Sequence, residues 1–489
     1  MANSLDKIQN VVVLVLENRS FDHMLGFLKR DGYGLDGLSG NETVPADPTV
    51  SGGVQVPVTD NANYQGDFNL DPNDDKSFVD PNHDVSAVAE QLFGDPPTNR
   101  GFVLNYSKQP RNTTQHAQNI VRCFSADKLP VLTRLVKEFA VCDHWHSSVP
   151  GPTWPNRLFL HAASSGGHID NNLHEADYDI DTIYDRLDAA NKSWRIYFHD
   201  VPQSIALTHL QKDFIIRRGY RLFGDFLEAA RVGLLPAYSF IEPRYSDFFT
   251  LKANDQHPPH NVALGEHLIA DVYEAVRNSP QWEQTLLVVT WDEHGGIYDH
   301  EPPPATVDPD PATTARVNSG FNFERLGVRV PTVLISPYIK SGKIDSTVYD
   351  HTSLLATVEN RFGLAPLTLR DAQANTFENV LELADARQDC PLTLDRPADA
   401  ASLQAHFDSL SAASSLSLAA VKDALRTGRF AQNDASDFQI SLVRMAKNFE
   451  AKDETDQSKL IRFSRWADIE HDAAVQTQDF ATKFFKHLF

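Results

Sequence analysis

The chain has 489 residues, of which 41% are hydrophobic, and 66 acidic against 44 basic side chains give a formal net charge of −22. That excess argues against a nucleic-acid partner and against electrostatic adhesion to anionic membranes, leaving at most peripheral membrane contact. No apolar run approaches the roughly 18 residues of a membrane span, so the protein should be soluble, and three cysteines without metal-like spacing announce neither disulfides nor a thiolate site.

The first eight residues carry no basic n-region, and no cleavage site follows the next apolar run, so no signal peptide is expected in this chain. Cytoplasmic residence, export without a classical signal and loss of a leader stay open. Residues 11–16 form an unbroken apolar run, the pattern of a strand buried on both faces, and end in Glu17-Asn18. Residues 37–80, rich in Gly, Asn, Asp, Pro and Ser, are expected to be a surface insertion. Residues 142–146 are strand-like. The run Pro150-Gly151-Pro152 cannot continue a helix whereas Asn156 onward can, so Thr153 or its neighbour should cap a helix with Pro155 in its first turn.

Further on, residues 177–190 and 261–278 have helical spacing, and the second leads into a strand over 286–291 that ends in Asp292-Glu293. Residues 302–317 are expected to be a loop forming a rim or lid, and 331–336 another buried strand. From Ala401 the chain has no proline and one glycine, Gly428, so 401–489 should be a helical C-terminal region with Phe480, Phe484 and Leu488 packing onto their own domain. Length and pattern together give one large α/β core over 1–395 with that appendage.

Ligand sites in open α/β sheets lie beyond the carboxyl ends of the strands, so Glu17, Asn18, Asp292 and Glu293 should face one place. Three carboxylates and an amide oxygen in a low-dielectric cleft repel one another unless a cation sits among them. A divalent metal is therefore expected, with calcium, magnesium or manganese favoured by all-oxygen ligation and zinc or iron still open. Thr153, at a positive helix end, is placed to receive phosphate, and metal contact would lower its hydroxyl pKa towards an alkoxide. An isolated Thr-x-Pro is ordinarily a helix cap and nothing more; the two acidic pairs shift the reading to a nucleophile.

Three blocks, Glu17-Asn18-Arg19-Ser20-Phe21-Asp22-His23-Met24-Leu25-Gly26, Pro152-Thr153-Trp154-Pro155-Asn156-Arg157 and Trp291-Asp292-Glu293-His294-Gly295-Gly296-Ile297-Tyr298-Asp299-His300, resemble the signatures of the phosphoesterase family. That family holds bacterial phosphatidylcholine-hydrolysing phospholipases C, plant non-specific phospholipases C and a bacterial acid phosphatase. Asp80-Pro81-Asn82-His83, Ala253-Asn254-Asp255-Gln256-His257-Pro258-Pro259-His260 and Leu326-Gly327-Val328-Arg329-Val330-Pro331 fall in family order and bring the plant enzymes nearest. The likeness spans roughly residues 8–365.

The resemblance implies an alkaline-phosphatase-like α/β fold, a central mixed sheet between helices. It implies that Glu17, Asn18, Thr153, Asp292 and Glu293 hold the cation, and that Thr153 attacks phosphorus to form a phosphothreonine. His257 and His83 would meet the phosphoryl group, with His257 the first candidate for the acid. His294 would touch the cation or support one of its ligands, and His260, His300 and His351 would support sheet and loops. The implied activity is a phospholipase C acting on common zwitterionic phospholipids with broad headgroup tolerance, since no aromatic cage for choline is announced. An acid phosphatase acting on small phosphate esters and an inactive binding protein on the same fold are the alternatives, and oligomeric state stays open. His144, His146 and His161 flank Thr153 and imitate a metal cluster, although core or surface positions suit them better. Glu242 with Arg244 suggests a buried structural ion pair or a ligand-orienting pair, and Arg19 a phosphate contact or a counter-charge to Asp22.

Overall fold

Two strands buried along their whole length set the centre of the molecule. The computed structural model describes residues 4–398 apart from 173–177, 213, 214, 216, 217 and 248–251. Its strands are β1 (Asn10–Leu16), β2 (Thr43–Pro45), β3 (Gln55–Pro57), β4 (Ala140–Cys142), β5 (Trp194–Phe198), β6 (Tyr220–Leu222), β7 (Tyr238–Glu242), β8 (Thr285–Trp291), β9 (Thr332–Ile335) and β10 (Lys343–Asp345). Eight of them form one sheet in the order β10-β4-β9-β8-β1-β7-β5-β6, and β2 with β3 makes a separate antiparallel pair. Neighbours in the large sheet are parallel except at β9, which runs antiparallel to both β8 and β4, so the sheet is mixed.

Every residue of β1 and β8 is buried, which requires cover on both faces of the sheet. Two packed groups of helices flank it: Pro130–Glu138, Phe223–Val232 and Val262–Arg277 in one, Thr153–Ala162, Ile183–Ala189 and His351–Phe362 in the other. Within the first group, Glu266 accepts from the backbone N–H groups of Val131 (2.8 Å) and Leu132 (3.2 Å). Its carboxyl thus sits at a helix N-terminus, where negative charge is favoured, although burial pushes its pKa up to about 8.

The insertion at 37–80 is a built layer rather than a surface excursion. It contributes β2, β3 and the buried side chains of Leu38, Val44, Val56, Val58, Phe68 and Val79, which pack with the segments Val85–Leu92, Phe102–Ser107 and His116–Val121 into a second core. Its apolar residues stand singly among turn formers, so no periodicity announces them. The expected loop at 302–317 contains a helix, Pro311–Val317, capped by Asp310 and without a buried residue; lacking an apolar stripe, it has a cap signal and nothing else. The helix expected at 177–190 is confined to Ile183–Ala189, because Thr182 and Asp185 close a capping box at its start. β4 ends at Cys142, leaving His144 and His146 beyond it. The expected C-terminal region 401–489 lies outside the described residues. Among the described residues no helix is long and apolar enough to cross a membrane.

One buried ionic knot ties the loops together. Arg329 reaches Asp22 Oδ1 (3.1 Å) and Asp299 Oδ1 (2.9 Å), donates to the carbonyls of Asp36 (2.9 Å) and Asp143 (2.7 Å), and lies over the Phe21 ring. Removing one partner from such a buried set strands the remaining charges, so Arg329→Met should lower stability by about 3–5 kcal/mol in urea unfolding. A loss below about 1 kcal/mol, the scale of an exposed pair, would show that the knot does not hold the loops.

Candidate active site

β1 and β8 pair in equal register up to Leu16 and Trp291, so the residues that follow both strands emerge together. The two chains then cross-link: Asp292 N–H donates to Leu16 O (3.1 Å), Asn18 N–H to Asp292 Oδ1 (3.0 Å) and Arg19 N–H to Glu293 O (3.0 Å). Asn18 takes φ +57°, a left-handed conformation that asparagine tolerates better than most residues. The chain bends off the strand there.

The helix Thr153–Ala162 begins at Thr153, and its cap position falls on Pro152, which supplies no side-chain bond. The Thr153 hydroxyl is therefore not spent as a cap; it donates to Asn18 Oδ1 at 3.4 Å. Asn156 folds the Pro-Gly-Pro loop by donating to the carbonyls of Val149, Gly151 and Pro152. The Trp154 N–H at this helix end is taken by Asn171 Oδ1 (3.0 Å). One turn on, Arg157 places Nε 3.2 Å from Asp292 Oδ2 and Nη2 3.5 Å from Glu17 Oε1, and donates to Leu16 O (3.1 Å).

Each carboxylate is held by nearby donors, and Asp292 through both oxygens, since Arg157 Nε donates to its Oδ2 (3.2 Å). Glu17 Oε1 accepts from Gln203 Nε2 at 2.6 Å. Asp292 Oδ1 accepts from Asn18 N–H and from its neighbour Glu293 N–H (2.8 Å). Glu293 Oε2 accepts from Gly295 N–H (2.7 Å) and lies 3.3 Å from His294 Nδ1, whereas its Oε1 accepts no hydrogen bond and stands 3.8 Å from His83 Nε2. Burial pushes the Glu17 carboxyl well up, against the pull of Arg157 and with the help of Asp292 and Asp255. Asp292 is likewise raised by burial, to about 6, with Arg157 opposing. Burial acts on Glu293 too, but His83 and His294 outweigh it and its pKa falls.

The expected residues Glu17, Asn18, Thr153, His83, His257, Asp292, Glu293 and His294 are all buried, none more than 4% exposed. His83 Nδ1 bonds Pro81 O (2.8 Å), which directs Nε2 towards Glu293. His257 Nδ1 bonds Pro258 O, and burial lowers its pKa to about 4. His294 Nε2 meets Gln91 Oε1 (2.9 Å), and its Nδ1 lies 3.3 Å from Glu293 Oε2. His351 supports Asp292 from behind, Nε2 to Asp292 O at 2.6 Å, while His260 bonds Asp255 (2.7 Å) and His300 bonds Asp22 (2.6 Å).

Other expected groupings separate. His144, His146 and His161 bond Asp143, the Gly327 carbonyl and the Tyr184 hydroxyl respectively, so they form no cluster. Arg19 does not neutralise Asp22, which pairs with Arg329 and His300; it donates to Gln256 O (2.7 Å) and faces His23. Glu242 accepts from Gln203 N–H, Ser204 N–H and hydroxyl, and the Tyr245 hydroxyl, which fixes the turn that carries Gln203. Sequence reasoning missed Gln203, a lone amide with no pattern around it, and Asp255. The latter stands two residues before His257 in a block already singled out; its Oδ2 accepts no hydrogen bond and its carbonyl accepts from Glu17 N–H (2.8 Å).

Four carboxylates, Glu17, Asp255, Asp292 and Glu293, are thus buried here, Arg157 pairs with Glu17 and Asp292, and two oxygens of the set, Asp255 Oδ2 and Glu293 Oε1, lack any hydrogen-bond donor. With Asn18 Oδ1 and Thr153 Oγ1 alongside, this donor set fits a divalent cation. Among the described residues, acid and imidazole groups that close within 4.8 Å of one another occur elsewhere, at Asp22, Asp299 and His300, at Asp36, His300 and Glu301, and at Asp181, Asp185 and His209. The first of these already holds its cation, the guanidinium of Arg329.

Residues 8–365 match the model of the phosphoesterase family. The chain is similar to Non-specific phospholipase C6 of Arabidopsis thaliana, 40% identical over 407 residues that cover 79% of this chain and 75% of that protein. It is 38% identical over 402 residues to Non-specific phospholipase C1 of the same plant, covering 78% of this chain and 73% of that protein. Hemolytic phospholipase C of Pseudomonas aeruginosa is 27% identical over 415 residues, covering 74% of this chain and 53% of that protein. The chain belongs to the phosphoesterase family and is a phosphoric ester hydrolase.

Proposed function

We propose that the chain is a phospholipase C that converts glycerophospholipids to diacylglycerol and a phosphorylated headgroup through a phosphothreonine at Thr153. The observation that carries this reading is the Thr153 hydroxyl, released from capping and 3.4 Å from Asn18 Oδ1 beside the buried carboxylates. The names of the plant and bacterial relatives support the substrate class. Glu17, Asn18, Asp292 and Glu293 would hold a divalent cation, with Thr153 Oγ1 completing the set. Such a cation would neutralise phosphate charge and lower the pKa of the hydroxyl.

Thr153 gives up its hydroxyl proton to solvent and its Oγ attacks phosphorus, the bond from phosphorus to the glycerol oxygen breaks, and that oxygen takes a proton from His257 to leave as diacylglycerol. The headgroup phosphate stays on Thr153 until water displaces it. His257 is the donor to the leaving oxygen. Burial keeps its ring neutral near pH 7, and an anionic phosphodiester beside it favours the imidazolium, which holds a second proton on Nε2. His83, fixed through Nδ1 by the Pro81 carbonyl, neutralises charge on the phosphoryl group, and His294 keeps Glu293 in place. The lipid is met by peripheral contact.

Replacing the nucleophile separates catalysis from folding. Thr153→Ala should lose at least about 10³-fold in turnover while stability falls by only about 1 kcal/mol, the scale of one hydrogen bond. In the wild type, acid quenching should trap a phosphorylated peptide containing Thr153, detected by mass spectrometry. A near wild-type rate in the alanine variant would discard the covalent route.

Asp292→Asn and Glu17→Gln should each lower metal content and activity together. Metal content unchanged in both, by elemental analysis, would remove these side chains from the ligand set.

In mixed micelles, phosphatidylcholine and phosphatidylethanolamine should both yield diacylglycerol. No diacylglycerol but rapid phosphate release from monoesters would make the protein an acid phosphatase, and no turnover of either an inactive binding protein.

A further inference from the structure

We propose that the cleft between the insertion and the segment His116–Val121 is a second binding site, apart from the reacting groups, for a neutral polyhydroxylated ring such as a hexose or an inositol. The inference does not depend on the metal site proposed above.

The cleft has a volume of about 530 Å³, the size of a small-molecule site. Residues 56–72 of the insertion form one wall and residues 113–122 the other, and none of them belongs to the proposed catalytic set. Six amides line it, those of Asn61, Asn63, Asn69, Gln115, Gln118 and Asn119. An amide presents donors and an acceptor together, the pattern that hydroxyl groups, themselves donor and acceptor, can meet. Asn119 commits its Nδ2 to the Asp67 carbonyl (2.7 Å) and Arg122 its Nη1 to Asp67 Oδ1 (2.9 Å), which leaves Asn119 Oδ1 and Arg122 Nη2 for a ligand. Beside them the half-buried Gln118 amide has no hydrogen-bond partner among the described residues.

Charge narrows the ligand further. Asp67 and Arg122 are the acid and base of the lining and neutralise each other, and Asn63 closes off both Asp67 oxygens with its N–H (2.5 Å) and Nδ2 (2.9 Å). Burial lowers the pKa of His116, so its ring adds no charge near pH 7. A phosphate or an ammonium group therefore finds no uncompensated partner here. An acyl chain would strip water from the amides without replacing their hydrogen bonds. A neutral ring with hydroxyls at its edge meets both conditions, and Pro57 and Leu70 offer apolar surface to its C–H groups.

The wall that carries Arg122 is fixed before a ligand arrives. Arg122 O accepts from His23 Nδ1 (2.8 Å), His23 Nε2 accepts from Arg19 Nη1 (3.0 Å), and Arg19 Nε donates to Gln256 O (2.7 Å). Burial holds His23 neutral, as a ring that donates at one nitrogen and accepts at the other must be. Such preorganisation lowers the ordering cost of binding. Arg19 and His23 thereby link this wall to the loop of His257 while standing between the two.

The test is saturation-transfer NMR on the full-length protein, titrated with methyl α-glucoside and with myo-inositol. Transfer to the ring protons of at least one is expected. Gln118→Ala should weaken binding about fivefold, the loss of one neutral hydrogen bond, and Gln118→Trp, whose indole fills the cleft, should abolish transfer. Asp292→Asn should leave binding unchanged, because the cleft shares no residue with the site at the strand ends. Far-ultraviolet circular dichroism checks folding, and the alanine variant decides alone if the tryptophan variant does not fold. Sedimentation with phosphatidylcholine vesicles in chelator, with and without galactosyl diacylglycerol, separates the two sources of such a ring. Preference of wild type but not of Gln118→Trp for the galactosyl vesicles assigns a lipid headgroup, and no preference alongside binding of a free ring assigns a soluble sugar. No transfer to either ring, transfer unaltered in the Gln118 variants, transfer lost in Asp292→Asn, or displacement of the ring by choline or inorganic phosphate overturns the inference.

Discussion

Charge burial at the ends of two central strands is the constraint to which the rest of the molecule answers. Glu17, Asp292 and Glu293 leave β1 and β8 at a place with almost no contact with water, where an isolated carboxylate would carry a desolvation penalty of several kcal/mol. Backbone N–H groups of Asn18, Glu293 and Gly295 meet part of it. Arg157 meets another part from the same helix that starts with Thr153, so the group that balances the acids and the hydroxyl proposed to attack phosphorus share one rigid element.

The same solution is repeated in the layer below. Asp22 and Asp299, each following one of the two strand ends, converge on Arg329 and His300, and Asp22 holds the imidazole of His300 up to about 9 against the effect of burial. Ser20 adds a bond to the Tyr298 carbonyl (2.6 Å). The two segments that carry the site are thus joined by ionic and hydrogen-bonded contacts well past the strands, which is why loops without regular structure hold side chains at fixed places.

What was legible in the sequence follows from local pattern. Unbroken apolar runs revealed β1 and β8, and acids placed directly after them pointed to the one place where the two strand ends converge; the break at Pro150-Gly151-Pro152 located the start of the helix at Thr153. What was not legible depends on partners far along the chain. Nothing near Asp22 announces Arg329, which lies 307 residues away, and nothing near Gln203 announces Glu17, 186 residues away. Arg157 stands in a block singled out by its motif, but its pairing with Glu17 and Asp292 is a matter of helix orientation, which residue spacing does not specify. The core beneath 37–80 escaped for another reason: isolated apolar residues among turn formers have no period, and only their common contact with the helices after Val85 defines them.

The central position of β1 shapes how the chain must reach its native state. β1 is made first, yet both its neighbours, β7 and β8, come more than two hundred residues later, and the bond from Asn18 N–H to Asp292 spans 274 residues. Non-local pairing of this kind folds slowly, because loop-closure entropy is spent before any contact repays it. Until residues 238–242 have been synthesised β1 has two open edges and no partner, and one edge stays open until 285–291 follow, so the nascent chain is exposed to aggregation over much of its synthesis. The site closes with the last central strand, and no shorter N-terminal fragment contains it.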